Sequence, residues 1–194
     1  MLADFKGIIH PDVIITIASK DKTLTLKESG ADSKIKKLHI HGLPDNALAF
    51  TLDHQPKGSA SKLFKQLSCY VNPENGSGVN KSCDLVIITQ AGEDIYDVLV
   101  FELKSDKPNP MTTKKQLKNS ELYIQYLISM LKCHYGIQIK SINYRHAIVT
   151  TDPRSIRKNL TYNRNTPSVS DNTYKIKAVT TNSAKEAKVH FGAL

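Results

Sequence analysis

Along the first fifty or so residues short apolar, strand-like runs alternate with polar turn residues, a pattern that predicts strands over 13–18, 23–26, 37–41 and 47–52. Together these runs predict a small antiparallel sheet. The spacing becomes helical over 61–70, where Leu63, Phe64, Leu67 and Tyr70 share a face, and the breaker-rich VNPENGSGVNKS ends that run. The most apolar stretch follows. CDLVIITQAGEDIYDVLVFELK, residues 83–104, reads as two strands joined by the turn residues at 90–94, a hairpin.

After the turn SDKPNPMT, Thr113 with Gln116 three residues on makes a capping box, which predicts a helix over about 113–134. Its apolar stripe is Leu117, Ile124, Leu127 and Leu131; Lys114, Lys115, Lys118 and Asn119 fall largely outside it, and Gly136 supplies the stop. Residues 137–150 read as one more strand, ended by Asp152-Pro153, so the helix is a crossover, right-handed if the strands it joins are parallel. From Arg154 the chain is polar and basic, a long loop, with a short strand near 174–180. The elements define an α/β (α+β) class with a mixed central sheet flanked by helices. A single domain is expected, with a strand-rich extension over 1–58, a core over 59–150 and a basic segment over 151–194.

The hairpin brings candidate chemistry together. Side chains alternate faces along a strand, so Val98, Val100, Glu102 and Lys104 project to one side and Leu99, Phe101 and Leu103 to the other. Folding about residue 93 sets Asp84 opposite Glu102. Two carboxylates at the end of an apolar strand pair repel and are costly to desolvate unless a cation lies between them. A hard divalent ion such as magnesium takes carboxylate and carbonyl oxygens and acidifies its bound water, which Lys104 would orient or deprotonate. An acid, any residue and a lysine also occur at Asp4–Lys6, Asp32–Lys34 and Glu186–Lys188. Only the Glu102 copy follows an apolar strand with an acid at the start of the preceding one.

With Asp84 and then Glu102-Leu103-Lys104 at a strand end, residues 60–150 resemble the PD-(D/E)xK nuclease superfamily. The resemblance implies a restriction-endonuclease-like core and metal-dependent hydrolysis of phosphodiester bonds. Asp84, Glu102 and the Leu103 carbonyl would hold magnesium, or manganese in its place, and Gln116 would match a glutamine that RecB-like members carry on the helix after this strand. The resemblance departs at one point: SKLFKQLSCY lacks the acid that many members carry on the preceding helix, and Glu74 and Asp53 are the nearest upstream acids. One magnesium completed by waters is therefore expected. DNA is favoured over RNA on the resemblance, and the size of the chain suits a restriction or antiphage-defence effector. Cutting both strands takes two sites, which favours a homodimer or a place in a larger complex. The alternative is a non-catalytic nucleic-acid-binding or assembly subunit with a nuclease-like fold.

Composition adds to this picture. The formal charge of +9, from 27 basic and 18 acidic residues, favours a polyanionic partner. Lys115 and Asn119 beside Gln116 are candidate phosphate contacts. Arg145, Arg154, Arg157, Lys158 and Arg164, interleaved with Tyr144 and Tyr162, form a candidate nucleic-acid-binding cluster or a solvated basic tail. No apolar run is long enough to span a membrane and the first residues lack a secretion signal, so a cytoplasmic location is expected. Cys69, Cys83 and Cys133 lack zinc or disulfide spacing and are expected to be buried thiols. His39-x-His41 has no evident third metal ligand. The chain has no glycine-rich phosphate loop and no nucleophile elbow.

Overall fold

In the computed structural model of this chain the described residues are 1–54, 67–68, 70–72, 76–105, 108–152 and 174–194. Among them the protein is mixed α/β, with two mixed sheets of four and five strands and two α-helices. The elements are α1 (Leu2–Ile8), β1 (Ile17–Ala18), β2 (Thr23–Lys27), β3 (Lys37–His41), β4 (Leu48–Phe50), β5 (Leu85–Gly92), β6 (Ile95–Lys104), α2 (Pro110–Tyr135), β7 (Ser141–Thr150), β8 (Lys175–Ala178) and β9 (Glu186–His190). The chain divides into two compact units. The first comprises Met1–Ile15, Asn46–Phe101 and Pro110–Arg145; the second comprises Thr16–Asp45, Glu102–Asn109 and His146–Leu194. Both β6 and β7 begin in the first unit and end in the second.

The four-stranded sheet has the order β1-β2-β3-β9, and its first three strands are antiparallel as expected. Leu24, Leu26, Leu38, Ile40, Ala187 and Val189 form its buried face. Two expectations are corrected here. The sheet gains β9, which runs parallel to β3, although the tail was expected to end in a strand near 174–180 alone. The run expected as its fourth strand instead pairs as β4 with β5. Leu48, Ala49 and Phe50 are all buried, so β4 has no polar side to turn toward water, whereas β2 and β3 alternate.

The five-stranded sheet has the order β4-β5-β6-β7-β8, antiparallel from β4 to β6 and parallel between β7 and β8. Leu85–Thr89 and Val98–Leu103 are buried on both faces. The expected hairpin register is found: Leu85 pairs with Phe101, Ile87 with Leu99 and Gln90 with Tyr96, followed by a shift at Gln90/Gly92 and a left-handed Asp94 at φ 55°. The stretch expected as strand 13–18 makes a bridge between Ile14 and Phe50 and shortens to β1 beyond it.

The two turns of α1 had no prediction behind them. So short a helix is marginal alone. It is held by Phe5, fully buried with its ring centroid 5.7 Å from that of Phe50. α2 begins at Pro110, not at Thr113, so Thr113 lies inside the helix, fully buried, rather than at its cap. Its stripe is buried as expected, with Ile128 added, and Gly136 closes it in the left-handed region at φ 63°. The helix expected over 61–70 falls mostly outside the described residues. Its described members Leu67, Ser68 and Tyr70 are not helical, and Tyr70 is 96% exposed. Cys83 is buried but Cys133, on the polar side of α2, is exposed, which corrects that expectation; Cys69 lies outside the described residues. Among the described residues no helix is long and apolar enough to cross a membrane.

Candidate functional site

In the first unit, the chain entering β5 is clamped by the N-terminal half of α2. Ser120 Oγ accepts from the Cys83 N–H at 2.8 Å and donates to the Gln116 carbonyl at 2.9 Å. The Gln116 side-chain amide donates to Ser82 O at 3.2 Å, that of Asn119 to Gly78 O at 2.8 Å and Lys81 O at 3.1 Å, and Lys115 Nζ to Ser77 O at 3.3 Å. Three residues chosen for substrate or site contact thus bind backbone carbonyls of 77–82, just before Asp84. Asp84 itself is half-buried, one residue ahead of β5. Ser120 was not anticipated. It and Glu121 are polar residues among the apolar positions of α2, and that interruption is the signal that could have singled them out.

Glu121 is 7% exposed and is held by Lys118 Nζ at 2.7 Å and Gln125 Nε2 at 3.0 Å. On β7, burial first and the charge of Glu121 second push the Tyr144 phenol up to about 12. Arg145 follows it in the strand and is half-buried, so it belongs to a sheet rather than to a solvated tail. Arg154, Arg157, Lys158 and Arg164 lie outside the described residues.

In the second unit, Glu102 is 1% exposed at the end of β6, and Lys104 Nζ donates to its Oε1 from the same face, as strand alternation requires. A carboxylate this deep is costly without such a partner. Leu103 is 5% exposed. Among the described residues no three of His, Cys, Asp and Glu gather into a group able to hold a metal ion. His39 and His41 are instead engaged on the four-stranded sheet: His39 Nδ1 lies 2.9 Å from Thr25 Oγ1, and the His41 ring meets that of His190 edge-on at 5.0 Å.

The first unit also contains a cavity of about 250 Å³ whose lining includes Ile9, His10, Val13, His54, Tyr123 and Leu127. Among the described residues no carboxylate or lysine lines it, and none of the hydrolytic candidates does. Comparisons with protein-family models, with curated proteins and with solved structures return no match to this chain.

Proposed function

We propose that the protein is a magnesium-dependent endonuclease of the PD-(D/E)xK type, hydrolysing phosphodiester bonds of DNA on a restriction-endonuclease-like core. The β5–β6 ladder carries this reading. Its terminal pair is Leu85 with Phe101; Asp84 directly precedes the first and Glu102 directly follows the second in the chain. With the Leu103 carbonyl these supply an all-oxygen donor set, which suits magnesium and manganese. The ion, when bound, would neutralise phosphate charge and acidify a water.

The residues of the chain divide the remaining work. Lys104, with 32% of its side chain exposed beside a buried Glu102, orients the attacking water and balances the phosphate. Gln116 steadies the strand entry that carries Asp84 through its bond to Ser82. Lys115 and Asn119 hold the preceding loop, and with Arg145, Arg154, Arg157, Lys158 and Arg164 supply phosphate contacts. Cleavage of both strands takes two copies of the site, supplied by a homodimer or a larger defence complex.

One observation favours a second reading, a non-catalytic nucleic-acid-binding subunit: the absence of a third acid beside the two carboxylates among the described residues. Plasmid, single-stranded DNA and RNA incubated with magnesium, with and without chelator, separate the two. The expected outcome is chelator-sensitive cleavage by the wild type and none by Glu102→Gln. Equal cleavage by the variant removes the proposed chemistry, and binding without cleavage by either protein establishes the second reading.

A further inference from the structure

Among the described residues the positive charge is unevenly placed. In the first unit the eight described Lys and Arg are matched by eight Asp and Glu, whereas the described residues of the second carry eleven against seven. Three of these eleven, Lys27, Lys37 and Lys188, lie on the solvent side of β2, β3 and β9. The register aligns that side in rows: Lys27 beside Lys37, and Lys37 beside Glu186; Thr25 beside His39, and His39 beside Lys188; His41 beside His190. Rows are separated by about 6.7 Å along the strands and neighbours within a row by about 4.8 Å.

Glu186 is the single acid in these rows. It accepts from Lys37 at 2.7 Å and lies 3.9 Å from His39 Nε2, so it offsets Lys37. Lys27 and Lys188 are exposed and make no ion pair among the described residues. Three imidazole rings share the face, His39 in the row of Lys188 and His41 and His190 in the next row, the last two in edge contact. The apolar positions of the same strands are buried beneath, so the face cannot turn over to hide its charge.

We propose that this face of the four-stranded sheet binds single-stranded nucleic acid, with Lys27 and Lys188 on phosphates and the rings of His41 and His190 beneath bases. Cations spaced along a sheet match a phosphate backbone, and flat rings beside them offer stacking surface that only unpaired bases can use. Glu186 limits the affinity by holding Lys37. None of the residues assigned to hydrolysis lies on this face, so the inference stands apart from the nuclease reading.

The test uses the full chain in chelator, which silences metal-dependent cleavage, and reads fluorescence anisotropy of a labelled oligothymidylate of about 20 nucleotides, longer than one such face covers. Lys27→Gln with Lys188→Gln should reduce the slope of log affinity against log salt by about 1.4, the share of two phosphate contacts on a single strand. His41→Ala and His190→Ala should each weaken binding about fivefold or more on the single strand and less than twofold on a duplex of the same composition. Glu186→Gln should tighten binding severalfold, a gain that misfolding cannot mimic. Unchanged affinity and salt slope in the lysine variant, or no gain with Glu186→Gln, overturns the proposal. Equal losses on single strand and duplex overturn the assignment to unpaired bases.

Discussion

Lys104 and Glu102 show how little a residue pair needs from the rest of the chain to be foreseen: two positions apart on a strand, they share a face and meet as an ion pair. Removing the ammonium leaves a carboxylate that is 1% exposed with one fewer compensating charge. Breaking a fully buried pair costs about 3–5 kcal/mol, and the partial exposure of Lys104 lowers the expectation for Lys104→Met to about 1–3 kcal/mol, read from urea unfolding. Tyr144 behaves differently. Its hydroxyl is buried without a hydrogen-bond partner among the described residues, so Tyr144→Phe should change stability at neutral pH by no more than about 1 kcal/mol. At alkaline pH the two proteins should part. The phenol is raised from 10.0 to about 12, so its contribution is complete below the unfolded value and is lost as pH rises through the folded one. Unfolding midpoints measured across that interval should fall more steeply for the wild type than for Tyr144→Phe.

At the scale of elements, α2 has two duties. Its stripe of Leu117, Ile124, Leu127, Ile128 and Leu131 fills the core, and its first turns fasten the chain that enters β5. Ser120 is the central fastener, because its hydroxyl serves both the Cys83 N–H and the Gln116 carbonyl. Ser120→Ala strands a buried donor and should cost about 1–3 kcal/mol in a denaturant titration. The stripe and the Gly136 stop were legible because they follow from helical period and left-handed backbone. The partners of Gln116 and Asn119 were not, since they lie more than thirty residues earlier, with 34 positions separating Gln116 from Ser82 and 41 separating Asn119 from Gly78. The start of α2 was misplaced for a related reason: Thr113 has the composition of a cap, but Pro110 already has the backbone angle a first helical residue needs.

For the whole molecule, charge and topology are linked. The net charge of +9 says that a polyanion is a fitting partner without saying where. Among the described residues the two units divide it unevenly: the first is balanced, and the second carries lysine and histidine on a sheet whose parallel strand β9 comes from the far end of the chain. The ion pair between Lys37 and Glu186 spans 149 positions. A pairing so remote leaves no local trace except the alternation Glu186-Ala-Lys-Val-His190, which by itself does not name a partner strand.

Periods of two and of 3.6 depend on neighbouring residues alone, so the sequence by itself determined the hairpin with its register, the crossing helix with its buried stripe, and the shared face of Glu102 and Lys104. Tertiary structure alone decided which sheet received β4 and β9, that Lys115, Gln116 and Asn119 would bind backbone carbonyls, and that three imidazoles would stand among lysines on one face. Those outcomes depend on which distant segments satisfy each other's backbone groups and cover each other's apolar sides, a competition settled only when the whole chain is packed.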